Sequence, residues 1–134
     1  MIKNQTPLTR AEVLRMIREH GGPEGLDLSG RNLERIDLSG EPGKPLDLHG
    51  IILSSANLQK ARLSDAILQN ANHSDATLRG AILLNANLQN AKLLDADLQA
   101  ADLSSADLKK ANLYGANLQE ADLIRANMSP LHKG

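Results

Sequence analysis

An all-β solenoid, a rod wound from very short strands, is the fold class this sequence predicts. Three observations carry that expectation. Alanine stands at every fifth position from Ala56 through Ala126. Two residues after each alanine comes a second inward position: Leu58, Leu63, Leu68, then His73, then leucine every fifth residue from Leu78 to Leu123, then Met128. The chain has no Phe, no Trp and one Tyr, Tyr114, so its interior is tiled from Ala, Leu and Ile instead of aromatic anchors.

The period itself excludes the two common elements. On an α-helix, five residues advance about 500°, which smears the leucines around the whole cylinder. In a straight strand an odd spacing sends successive leucines to opposite faces. Ala and Leu two apart do share one face of an extended tripeptide. Each A-x-L therefore reads as a very short strand, and the next two residues turn the chain. A short internal period of this kind marks a repeat coil held by nearest-neighbour stacking. Asn and Asp at the outward position after Ala are expected to bond the corner backbone.

The run "ANLQNAKLLDADLQAADLSSADLKKANLYGANLQEADL", Ala86 to Leu123, resembles the pentapeptide-repeat family, whose unit approximates A(D/N)LXX. The resemblance covers most of the chain. It implies a right-handed quadrilateral parallel β-helix with four pentapeptides per turn, so residues 20 apart are expected to stack. At about 4.8 Å per turn, residues 26–130 make about five turns and a rod roughly 25 Å tall.

The elements follow in order. Residues 1–25 form an N-terminal segment whose stretch "PLTRAEVLRMIREHGG" predicts a capping helix over about 9–20. Thr9 and Glu12 fit a capping box, and Gly21, Gly22 and Pro23 end the helix. Its apolar Ala11, Val13, Leu14, Met16 and Ile17 are expected over the first turn. The repeat occupies residues 26–130. Its early pentads carry bulkier residues, Leu26, Ile36, Leu46 and Ile51, before Leu28, Leu38, Leu48 and Leu53. The pentad "EPGKP", residues 41–45, has no inward apolar residue and is expected to bulge as a corner or loop. Residues 131–134 are a tail. Pro130 is expected to stop the stacking and Leu131 to fold over the open end.

Composition narrows function. Lys+Arg number 15 and Asp+Glu 16, and a net charge of −1 gives no footprint for direct nucleic-acid binding or for an anionic membrane. No cysteine is present, which removes thiolate metal sites and cysteine nucleophiles. The start "MIKNQTPLTR" lacks a signal-peptide core, and no apolar run reaches the roughly 20 residues of a membrane span, so a cytoplasmic location is expected. His20, His49, His73 and His132 have no metal-ligand spacing. In "NHSD", residues 72–75, His73 is expected inward and hydrogen-bonded while Ser74 and Asp75 point out, which is no triad. No catalytic residue, cofactor or metal site is expected. The N-x-S/T triplets at Asn4, Asn72 and Asn127 are incidental to an Asn/Ser-rich repeat.

The surface carries the functional expectation: a non-enzymatic structural or protein-interaction module with an unknown protein partner. Outward apolar residues are Ile52, Ile67, Ile82, Leu84, Leu94, Tyr114 and Ile124. Leu94 and Tyr114 are expected to be neighbours and form the best contact surface, because amphipathic Tyr is enriched at interfaces. Ile82, Leu84 and Ile124 are expected to share another face. The chain is expected to be a monomer or a weak end-to-end dimer through its C-terminal turn. The family resemblance implies one alternative, a DNA-mimicking modulator of DNA gyrase of the quinolone-resistance type. Asp95, Asp97, Asp102, Asp107, Glu120 and Asp122 make the C-terminal half acidic, but Lys92, Lys109, Lys110 and Arg125 offset most of that, and the central Phe common in that type is missing.

Overall fold

The structure, a computed structural model, describes residues 6–41 and 43–128. The expected stop at Pro130, the cover at Leu131 and His132 lie outside the described residues. From residue 26 onwards the chain is a coil whose successive turns are joined by isolated parallel β-bridges. Each bridge is a single residue, the one between the inward Ala and Leu, so the described residues form no longer strand.

One corner shows why. Leu53 N–H donates to the Asn72 carbonyl (2.7 Å), Asn72 N–H to the Ile51 carbonyl (2.9 Å) and Ser55 N–H to the Ser74 carbonyl (2.9 Å). All three bonds run between turns. Ala56 N–H then turns back to the Leu53 carbonyl (3.1 Å). The second corner residue, Ser55, has φ 60°, the pattern of a type II turn. The outward Asn or Asp holds the corner, as expected. Asn57 Oδ1 accepts from Gln59 N–H (3.0 Å), and Asn112 Oδ1 accepts from Tyr114 N–H (3.0 Å). At Ile52, Arg62, Ile67, Ile82 and Lys92 the side chain has no oxygen to do this, and those corners rest on backbone bonds alone.

The bridges sort the outward residues into four columns. The first is Asp27, Ile52, Asn72, Lys92 and Asn112; the second is Asn32, Asn57, Thr77, Asp97 and Asn117. The third is Asp37, Arg62, Ile82, Asp102 and Asp122; the fourth is Asp47, Ile67, Asn87, Asp107 and Asn127. From Asp47 onwards bridged residues are 20 apart, four pentads per turn. In the first turn the expected spacing needs correction: Asp27 bridges Ile52, Asn32 bridges Asn57 and Asp37 bridges Arg62, each 25 residues on. The extra pentad is the one without an inward apolar residue. Glu41 and Lys44 close on each other, N–H to carbonyl both ways (3.0 and 2.7 Å), so the chain leaves the stack and returns one pentad later. Gly40 permits the return, because a Cβ there would lie 2.5 Å from the Pro45 Cα. With that loop set aside, turn 1 is 26–50, turn 2 is 51–70, turn 3 is 71–90, turn 4 is 91–110 and turn 5 begins at 111.

The core is the inward series of Ala, Leu and Ile with His73 among them, buried from Leu26 to Leu108 apart from half-buried Arg31 and Leu46 and the 41–45 loop. It begins under helix α1, Arg10–His20. Thr9 caps it reciprocally with Glu12 (3.1 and 2.9 Å), and Gly21 in the left-handed region ends it, with Gly22 N–H donating back to Ile17. Val13 is fully buried in the core, and Leu8, Met16 and Ile17 pack against it. Ala11, expected inward, is exposed. The segment also replaces the missing turn above: Leu8 N–H donates to the Asn32 carbonyl (2.9 Å), and Arg10 Nη1 to the Asp37 and Ser39 carbonyls (2.9 and 3.1 Å).

Candidate partner surface

Exposed apolar side chains stand at corner positions because the residue after each inward Leu points away from the core. Leu94 and Tyr114 occupy one such corner on successive turns, below Ser54 and Ser74. Asp75 N–H donates to the Leu94 carbonyl and Asp95 N–H to the Tyr114 carbonyl, both 2.9 Å. Tyr114 is 79% exposed and Leu94 36%, so the pair forms an open apolar strip. Beside Tyr114, Gly115 leaves room for the Asp95 carboxylate; a Cβ there would collide with it. The strip is thus flanked by Asp95 and, on the first column, by Lys92 and Asn112.

Leu84 and Ile124 share the corner that follows the third column, at 38% and 65% exposure. Ser104 lies between them, since Asn85 N–H donates to Ser104 and Ser105 N–H to Ile124. Ile82 is half-buried in the third column, two residues from Leu84. The coil therefore brings Leu94 to Tyr114, and Ile82 to Leu84, while Ile124 stands two turns from Leu84. The two apolar groups lie half a turn apart around the coil, so one flat partner cannot cover both. Ile52 and Ile67 are half-buried between polar neighbours in their columns.

Charge forms a pattern that a linear reading misses. Arg35, Lys60, Gly80, Ala100 and Glu120 occupy the corner leading into the third column, on successive turns. Lys60 and Arg62 form no ion pair among the described residues. Arg35 meets Glu34 at 3.5 Å. The Asp37 carboxyl is held below the usual range mainly by the Ser39 hydroxyl and N–H, with Arg10 and Arg62 adding positive charge nearby. Arg79 pairs with Asp97 on the second column. Burial pulls the Asp97 carboxyl up, but Arg79 and the Gln99 N–H outweigh it and hold it low. A step of 20 from Lys60 and Arg62 onwards follows this pattern, but reaching Arg35 and Asp37 takes the 25-residue step of the first turn.

His73 sits in the core, fully buried, in the inward stack between Leu53 and Leu93. The hydrogen bond expected of it is not there: neither ring nitrogen has a partner among the described residues. Burial alone pushes its pKa down to about 4. His49 is half-exposed on the corner that follows the fourth column, where the Asp47 carboxylate, bonded at 2.9 Å, and Glu24 raise its pKa. His20 closes α1. Among the described residues no cluster of three metal-ligating side chains forms, and no helix is long and apolar enough to cross a membrane. The depressions along the coil are shallow and open, lined by corner residues such as Gln59, Lys60, Arg79 and Gly80.

Comparison with known proteins agrees with this geometry. The family profile "Pentapeptide repeats" matches eight copies, at residues 47–70, 56–94, 71–109 and 91–129. HetL from the cyanobacterium Nostoc sp. strain PCC 7120, a protein involved in heterocyst differentiation regulation, is 38% identical with a TM-score of 0.73. That match covers 75% of this chain and 46% of HetL, so the chain spans less than half of HetL's length. Rfr23 from the cyanobacterium Cyanothece 51142 is 30% identical over 87% of this chain and 97% of its own, with a TM-score of 0.39. A thylakoid-lumen protein of Arabidopsis thaliana is 30% identical over 83% of this chain and 68% of its own, with a TM-score of 0.42. No curated protein matches the sequence.

Proposed function

The chain belongs to the pentapeptide-repeat family, and from that premise we propose that it is a non-enzymatic protein-interaction module. In this reading the coil is a right-handed, four-sided β-helix that presents the Leu94–Tyr114 corner to a partner protein. The observation that carries the reading is Tyr114: the chain's single aromatic residue stands 79% exposed at a corner of turn 5, stacked on an exposed leucine. Tyrosine is enriched at protein interfaces and among the residues that dominate binding energy. Shallow, open depressions suit contact better than the enclosed clefts of catalysis. HetL's involvement in regulation fits a family fold that acts by contact. Mimicry of a DNA duplex has no comparable support, because a net charge of −1 supplies no duplex-like field.

Affinity capture from the source organism's lysate tests this. Wild-type protein should retain a partner that Tyr114→Ser/Leu94→Ser loses, while Ile82→Ser/Leu84→Ser still retains it. Capture unaffected by the first pair would overturn the assignment of this corner. Potent, salt-sensitive inhibition of gyrase supercoiling would replace the reading with DNA mimicry.

A further inference from the structure

The third column and its leading corner change character along the rod. Turn 1 carries Glu34, Arg35 and Asp37, with Arg10 bonded beside Asp37, and turn 2 carries Lys60 and Arg62; turn 3 carries Arg79, paired with Asp97, then Ile82 and, on the corner that follows, Leu84; turns 4 and 5 carry Asp102, Glu120 and Asp122. Lys60 and Arg62 are exposed and have no ion-pair partner among the described residues. Among the described residues the Asp102 carboxylate is bonded only by the Ser104 N–H and hydroxyl, and that of Asp122 only by the Ile124 N–H. Two cations above the apolar middle, Arg35 and Arg62, have acidic counterparts at the same distance below it, Glu120 and Asp102, so the face turned end for end sets each of them against its opposite.

We propose that a second copy of this chain docks on this face, antiparallel, about a two-fold axis that crosses the face at Ile82. Such an axis returns each column to itself in reverse order. Arg62 then faces Asp102 of the second copy, Arg35 faces Glu120, and Ile82 and Leu84 each meet their own counterpart. A parallel pairing would set Arg35, Lys60 and Arg62 level with the same cations of the other copy, and like charges reject it. Two antiparallel pairs set like charges together: Arg79, neutralised by its pairing with Asp97, against its own counterpart, and Asp37 against Asp122. Arg10, bonded to the Asp37 and Ser39 carbonyls, brings positive charge to that end. On the trailing corner Asp65 meets Ser105, and Arg125 meets the Gly40–Glu41 stretch of turn 1.

The contact is small. A face about 20 Å tall and about 15 Å wide buries less than the roughly 1,000 Å² of a stable interface. Association is therefore weak, reversible and salt-sensitive.

Sedimentation equilibrium from about 10 µM to about 1 mM protein, at low and at high salt, tests it. A dimer should appear within this range and weaken with salt. Arg62→Glu or Asp102→Arg alone should each weaken it about tenfold or more, as should Ile82→Asp. An equimolar mixture of the Arg62→Glu and Asp102→Arg proteins should restore association, because both contacts are then opposite in charge. Should Asp102→Arg melt early, the pair Arg35→Glu and Glu120→Lys makes the same exchange at the corner. A monomer throughout the range overturns the proposal. So does a mixture that fails to restore pairing, or a dimer that ignores these changes and yields to Leu118→Lys at the open end.

Discussion

Turn 1 and turn 5 are written in the same five-residue unit and end in different states. Leu28, Leu33 and Leu38 of turn 1 are fully buried, whereas Leu113, Leu118 and Leu123 of turn 5 are half-buried and Met128 is 37% exposed. The upper end has α1 over it, and Leu8 and Arg10 supply donors to carbonyls that a turn above would have met. At the lower end the backbone N–H groups of Leu118, Glu120, Leu123 and Arg125 have no acceptor among the described residues. A pentad therefore does not own its stability. Each unit takes about half its burial and half its ladder bonds from the turn on either side, and the value of a residue depends on how many turns flank it.

The sharpest way to break the comparison is to cut the same leucine at both levels. Leu83→Ala, flanked by turns on both sides, should cost about 3 kcal/mol, against about 1 kcal/mol for Leu123→Ala. Urea unfolding with matched m-values measures both. Equal costs would mean that the ends are as well buried as the middle.

His73 places a flaw in the best-protected layer. Its folded pKa of about 4 lies below the ordinary 6.5, so between those values the unfolded chain binds a proton that the folded chain refuses. Stability is then whole above pH 6.5, falls as pH drops through the window, and levels off below about 4, for a total near 3 kcal/mol. His73→Leu should remove that loss and raise stability at neutral pH, since two unpartnered ring nitrogens leave the core. Melting temperatures of both proteins from pH 7.5 to pH 4 give the difference. A variant that melts lower at pH 7 would show a hydrogen bond the fold needs.

Two smaller changes sharpen the contrast between cap and corner. Thr9→Ala removes the oxygen that accepts from Glu12 N–H and should cost about 1 kcal/mol, felt in turn 1. Ala100 holds φ 61° at a corner where a Cβ is strained, so Ala100→Gly should gain up to about 0.5 kcal/mol after the added chain entropy. Both are measurable by thermal melting.

Much of this was legible from spacing. The Ala and Leu series could be placed inward because only a five-residue corner keeps both on one side, and Thr9 and Glu12 announced α1. The 25-residue first turn was not legible. "EPGKP" announced a corner or bulging loop by lacking an inward apolar residue, but it keeps the count of five, and the choice of the loop shows only in the Glu41–Lys44 closure and the Gly40 approach to Pro45. His73 was placed correctly inside, but its missing partner depends on which atoms line the stack. Leu94 and Tyr114 could be paired by a step of 20. The separation of Ile124 from Leu84 follows from Ser104 between them. The charge order of the third column stayed hidden, because its members are 20 and 25 residues apart.

Amide hydrogen exchange along one column measures the stacking most directly. Asn57, Thr77, Asp97 and Asn117 each donate to a carbonyl one turn above, at 2.9–3.0 Å, so bond geometry is constant and only the flanking turns differ. Thr77 and Asp97, in the middle, should exchange most slowly, Asn57 under the cap somewhat faster, and Asn117 fastest by a wide margin. Protection of Asn117 equal to that of Thr77 would contradict nearest-neighbour stacking and show that the coil opens only as a whole.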